Sequence, residues 1–194
     1  MKTTHLPASS FKTNVWSGGK TTELFIYPPA AKYALRDFDF RLSSATVEVE
    51  KSVFTPLPGY RRKLMVLDGA TKLVHENQHE ILLKKFDVDA FEGDWKTTSA
   101  GKCTDFNLMT RGNFSGEIAA RELEKNQSTA VNIPKNAVWF FVYVFRGEVS
   151  FSINSEVFSA HKGDVILIEN PEDSKFTALS STKTELVFSA IHVF

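Results

Sequence analysis

Apolar residues along this chain recur at every second position or in short runs. Phe38, Phe40 and Leu42 alternate with Asp39, Arg41 and Ser43 within a segment reaching Val49, the pattern of a strand with two unlike faces. Leu24–Tyr27 runs into Pro28-Pro29, which ends a strand because proline cannot donate to a ladder. Pro56-Leu57-Pro58-Gly59 reads as a turn into a strand over Lys63–Leu67. In the second half, Glu148–Ile153 and Val157–Ala160 flank Asn154-Ser155-Glu156 as a hairpin, and Val165–Ile168 and Leu186–Phe194 read as further strands. No segment carries a comfortable helix.

A weak internal repeat organises these strands. Leu64–Gly69, a hairpin and Phe91-Glu92-Gly93-Asp94 are followed, in the second half, by Val142–Gly147, a hairpin and His161-Lys162-Gly163-Asp164. Each unit runs strand, glycine corner, hairpin, Gly-Asp turn, strand. The expectation is an all-β chain of two tandem antiparallel barrels packed into one compact unit. The first barrel spans residues 1–112 and the second 113–194, with the polar stretch Asn113–Lys135 as the join. The aromatic run Trp139–Phe145 has the look of a ligand cage, but continuous apolar sequence also marks a strand buried on both faces. Core packing between the barrels is the expected role.

Composition narrows the class. The 23 basic and 23 acidic residues balance to a net charge of zero, which argues against nucleic acid or an anionic membrane as partner. The start of the chain lacks the apolar core of a secretion signal, and no run approaches a membrane span. A single cysteine, Cys103, rules out an internal disulfide and fits a reducing compartment. A cytoplasmic location is expected.

Five segments, in order, resemble one family. They are Trp16-Ser17-Gly18-Gly19-Lys20-Thr21-Thr22-Glu23-Leu24, Phe40–Ala45, Leu57-Pro58-Gly59-Tyr60-Arg61-Arg62, Phe91-Glu92-Gly93-Asp94 and Asp105–Arg111. Together they are similar to the motifs of the HutD/Ves family. That resemblance implies a bicupin fold of two cupin-type barrels and, for some members, a link to regulation of histidine utilisation. It supplies no substrate. Cupins often pair through edge strands, so a homodimer is admitted by analogy.

Within these motifs, Arg41 shares a strand face with Ser43 and Ala45, and Asn107 and Met109 share one with Arg111. If these faces line a barrel interior, Arg41, Arg62, Arg111 and Asn107 form a pocket suited to a small carboxylate, which a guanidinium grips in a bidentate way. Ser43 and Met109 complete the ligand-binding set. Glu23, Asp94 and Asp105 are candidate pocket carboxylates, and Trp16 and Phe91 candidate lining residues. The alternative is that the arginines pair with those carboxylates or Asp39 and only hold strands together. His75-Glu76-Asn77-Gln78-His79 satisfies H-E-x-x-H, but reads as a hairpin tip on which the histidines need not converge. The five histidines form no His-x-His pair, so no metal and no other cofactor is expected. Cys103 has no base to activate it. The favoured reading is a protein binding a small anionic metabolite rather than an enzyme. The alternatives are a metal-free cupin isomerase or lyase, a metal-dependent oxygenase, and a degenerate-cupin interaction scaffold.

Overall fold

The structure, a computed structural model, describes residues 1–153, 156–171 and 175–194. Asn154 and Ser155, most of the expected hairpin turn, lie outside the described residues. Strands dominate, with short 3-10 turns at Ala8–Ser10 and Tyr33–Leu35 and no α-helix among the described residues. Among the described residues, no helix is long and apolar enough to cross a membrane.

The chain opens with β1 (Lys2–Leu6) and then builds a unit from Phe11 to Phe114. Its strands are β2 (Lys12–Trp16), β3 (Gly19–Tyr27), β4 (Phe40–Val47), β5 (Lys51–Val53), β6 (Tyr60–Gly69), β7 (Thr71–His75), β8 (Glu80–Leu83), β9 (Val88–Glu92), β10 (Thr97–Ala100) and β11 (Cys103–Arg111). They form a six-stranded sheet, β2-β3-β4-β11-β6-β9, and a four-stranded sheet, β5-β10-β7-β8. Leu64, Val66 and Phe91 of the first sheet pack with Leu73 and Leu83 of the second in one buried cluster. Each such side chain contributes about 1.5–3 kcal/mol through removal from water. Phe38, Leu57, Tyr60 and Met109 form a second cluster. The Tyr60 hydroxyl there bonds the carbonyls of Arg36 and Phe38 at 2.8 and 3.0 Å.

The other unit comprises Met1–Ser10 and Ser115–Phe194. After β12 (Phe114–Leu123) come β13 (Ser128–Asn132), β14 (Trp139–Arg146), β15 (Glu148–Ile153), β16 (Glu156–His161), β17 (Val165–Glu169), β18 (Lys175–Ser180) and β19 (Thr184–Val193). The sheets are β1-β17-β14-β19-β12 and β13-β18-β15-β16. Phe140, Val142, Val144, Phe151 and Phe176 lie in a single core cluster, with the Phe140 and Phe151 rings set edge-on to Phe176. One face of the aromatic run, Phe140, Val142 and Val144, therefore fills the core of its own unit.

Three expectations about organisation change. The first ten residues belong with the second unit, because β1 pairs antiparallel along β17 from Lys2↔Glu169 to Leu6↔Val165. The division also falls after Phe114 instead of residue 112. Asn113–Lys135 is no simple join, since it carries β12 and β13. Its polarity arises because β12 is the outer strand of its sheet and buries little beyond Gly116 and Leu123.

The repeat is visible in the glycine corners. Gly69 and Gly147 have φ of 77° and 84°, and a Cβ on either would come within 2.5 Å of a backbone carbonyl, Lys102 or Lys183. The two Gly-Asp turns differ. Asp94 is exposed, whereas Asp164 accepts the amides of Ala8 and His161 at 2.8 and 2.9 Å and lies 3.0 Å from His5 Nε2. These bonds outweigh the cost of burial and hold the Asp164 carboxyl below its ordinary value. Asp164 thus anchors the segment after β1. Asp164→Ala should destabilise by about 2 kcal/mol at pH 7, read from denaturant midpoints. A depressed carboxylate stabilises above its unfolded pKa near 3.9 and loses that effect as pH falls through the folded value. The deficit should therefore shrink only below about pH 4.

Candidate functional site

The register of three neighbouring strands builds the site. Across β4, β11 and β6, Met109 stands between Arg41 and Arg62, and Asn107 between Ser43 and Leu64. Directly paired side chains on one face lie about 5 Å apart, so two guanidinium stems flank a single methionine. A register shift between Thr104 and Asp105 places Asp105 below them, opposite Ala45.

These residues line a cavity of about 400 Å³, within the range of small-metabolite pockets. Arg41, Ser43, Ala45, Arg62, Asp105, Asn107 and Met109 are all on its wall, joined by Trp16, Asn14 and Tyr33. The two arginines are held differently. Arg41 Nε donates to Glu23 at 2.7 Å, its Nη1 donates to Ser43 Oγ at 3.0 Å, and its guanidinium lies 4.5 Å from the Tyr33 ring. Arg62 lies against the rings of Phe54 and Phe91, 4.8 and 5.1 Å away. It makes no ion pair with a described residue, and its buried Nε has no hydrogen-bond partner. Asn107 Oδ1 is likewise buried and unpartnered.

Burial sets the protonation states. Desolvation lowers Arg62 to about 10, so it remains a cation at neutral pH. Desolvation raises Asp105 to about 7, with the Arg62 charge opposing. Near neutrality, then, the wall carries one compensated arginine, one uncompensated arginine and a carboxyl that is half protonated.

Residues 8–187 match the model of the HutD family. The chain belongs to the HutD family. No curated protein matches it. Among solved structures, it is similar to a conserved protein of unknown function from Pseudomonas aeruginosa PAO1, with a TM-score of 0.83 and 19% identity, covering 99% of this chain and 100% of that one. HutD from Pseudomonas fluorescens SBW25, in a formate condition, gives a TM-score of 0.72 at 20% identity, with both chains fully covered. The bacterial pirin YhhW from Escherichia coli, in complex with nickel(II), gives 0.72 at 10% identity over 97% of this chain and 98% of that one. These likenesses show the fold: this HutD-family protein has an all-β, cupin-type fold.

The residues singled out in sequence do not all meet in the cavity. Glu23 stands behind Arg41 as its counter-ion, and Phe91 behind Arg62 as a ring wall; neither lines the cavity. Asp94 is exposed at its turn, away from the lining. Arg111 ends β11 one step beyond Met109, where Nη1 donates to the Arg36 carbonyl at 2.9 Å and the guanidinium faces Asp39 at 3.4 Å. It ties down the loop that carries Tyr33. Tyr33 and Asn14 were not anticipated, because no strand pattern marks a loop residue or an exposed edge strand. Trp16 is placed by Gly18: a Cβ there would meet the indole at 2.0 Å, so the ring folds over the glycine backbone.

The cavity does not suit a transition metal. Its wall offers Asp105 and Asn107 beside two guanidinium groups and no histidine, a set that repels a cation. Cys103 is buried and pushed up to about 12, so it is no thiolate nucleophile. The H-E-x-x-H histidines do converge, contrary to expectation. The hairpin brings their rings to 4.6 Å, both facing Asp89.

A buried acid raised above its unfolded value binds its proton more tightly in the folded state, so stability is lost as pH rises from about 4 to about 7 and levels off above. Asp105→Asn should remove that loss. Its stabilising effect should be near zero at pH 4 and on the order of 2–4 kcal/mol at pH 8. A pH-independent difference in Tm between the two proteins would contradict the assignment.

Proposed function

We propose that this HutD-family protein binds a small carboxylate metabolite in the cavity of the Phe11–Phe114 unit, as a sensor linked to histidine utilisation rather than as an enzyme. The observation that carries this reading is Arg62: a buried, charged guanidinium with an unpartnered Nε on the wall of a cavity of about 400 Å³. Leaving a charged donor buried and unpaired costs several kcal/mol. A carboxylate accepting from Arg62 recovers that cost and forms the stronger, charge-assisted kind of hydrogen bond. Protonated Asp105 adds a donor, and Asn107 presents an acceptor for an N–H or O–H elsewhere on the ligand. A cytoplasmic location and a homodimer remain part of the proposal.

The test is calorimetric titration with small carboxylates, among them urocanate, formylglutamate, glutamate and histidine. One of them should bind with 1:1 stoichiometry, and Arg62→Met should weaken it by at least about 100-fold while the protein stays folded. Asp94→Asn should leave affinity unchanged. Ionised Asp105 repels the ligand, so affinity should rise as pH falls from 8 to 6, and Asp105→Asn should flatten that dependence. Equal affinity in Arg62→Met would contradict the reading.

One observation favours a second reading. A carboxyl titrating near 7 inside a cavity is poised for general acid–base work, which would make Asp105 the proton carrier of a metal-free isomerase or lyase. Turnover of the bound carboxylate, lost in Asp105→Asn with binding retained, would support it.

A further inference from the structure

Outside the cavity, three side chains aim their ligating atoms at one point. His75 ends β7, His79 precedes β8 across the hairpin, and Asp89 projects from β9. His75 Nε2 lies 2.7 Å from Asp89 Oδ2, and His79 Nε2 lies 3.1 Å from Asp89 Oδ1. The set offers one ligand atom from each residue, all within 4.8 Å of one another. None of the three lines the cavity. We propose that His75, His79 and Asp89 form a divalent-cation site of the zinc type, separate from the carboxylate cavity.

The hydrogen-bond pattern around His75 prepares it as a ligand. The Thr97 hydroxyl donates to the Trp95 carbonyl at 3.2 Å, so its oxygen accepts from His75 Nδ1–H at 2.8 Å. In the neutral ring this tautomer turns the Nε2 lone pair onto Asp89. The contact at 2.7 Å then needs either a shared proton or a cation between imidazole and carboxylate. A hydroxyl or carbonyl holding the far nitrogen of a ligating imidazole is the usual outer support of such sites. His79 brings a second imidazole to the other oxygen of the same carboxylate.

Distances and composition fit zinc. Bonds of about 2.0–2.2 Å in a tetrahedron need ligand atoms about 3.3 Å apart, so small side-chain rotations from the present separations suffice. Two imidazoles and a carboxylate leave a fourth position open to water. His79 is 39% exposed at the side chain, which gives the ion an entry. Glu76 turns away to pair with Lys96, so this motif lacks the general base of a hydrolytic zinc helix. The ion would hold the hairpin onto β9, with water in its fourth position and no base beside it. Phe91 lies between the His75 ring, at 4.6 Å, and the Arg62 guanidinium, at 5.1 Å, so the ion would also stiffen the wall behind Arg62.

The full chain, stripped with EDTA and desalted, is titrated with Zn²⁺ by calorimetry and followed by thermal shift. The expected result is one Zn²⁺ per chain, a raised Tm, and at least tenfold weaker binding in both His79→Gln and Asp89→Asn. His79→Gln changes a half-exposed position and tests the site without risking the fold. Arg62→Met should bind Zn²⁺ as the wild type does, which separates this result from failure of the carboxylate reading. No stoichiometric binding, or undiminished binding in His79→Gln, would overturn the proposal and leave the three residues as a hydrogen-bonded clasp.

Discussion

Two guanidinium groups sit on one barrel wall, and the structure neutralises only one of them. A buried charge costs several kcal/mol unless paired and hydrogen-bonded. Arg41 meets that demand within the chain, through Glu23, Ser43 and the face of Tyr33. Arg62 has two aromatic faces and a distant carboxyl. Aromatic faces contribute about 0.5–2 kcal/mol each, less than a lone guanidinium buried in a low-dielectric wall demands. Asp105 cannot finish the task, because its own burial holds it half protonated near neutral pH. In the proposed function, the charge imbalance at Arg62 is what favours an anion in the cavity.

Strand register and a fastened loop hold that imbalance in place. Three strands in fixed register bring Arg41, Met109 and Arg62 into one row. The loop over the row is fastened by Tyr60 and Arg111, which bond the Arg36 carbonyl from two directions. In the other unit the equivalent interior is packed with phenylalanines, and Phe140, Phe151 and Phe176 fill the space. The two halves of the repeat thus share glycine corners and differ in what their interiors hold.

Much of this was legible in the amino-acid sequence, for physical reasons. Strands with unlike faces announce themselves by period two, so the Arg41–Ser43 and Asn107–Met109 faces were readable. Arg111 belonged to the same face by parity, but parity cannot say where a strand leaves the barrel wall; it does so just past Met109. Partners distant in sequence were legible only in part: Glu23 stood among the carboxylates open to an arginine, though not as the partner of Arg41 in particular, and the pairing of β1 with β17 some 160 residues later left no local mark. Nor was the convergence of His75 and His79 legible. The hairpin sets their rings together and Asp89 meets both, a residue on another strand that no local spacing connects to them.

The most direct measurement is the NMR signal of the Arg62 Nε–H, assigned by its loss in Arg62→Met, during titration with a carboxylate that binds. The account predicts that this resonance moves downfield, saturates with the binding curve and becomes protected from solvent exchange, while the Arg111 signal stays in place. Saturable binding that leaves the Arg62 Nε–H unmoved would place the ligand elsewhere and contradict the account.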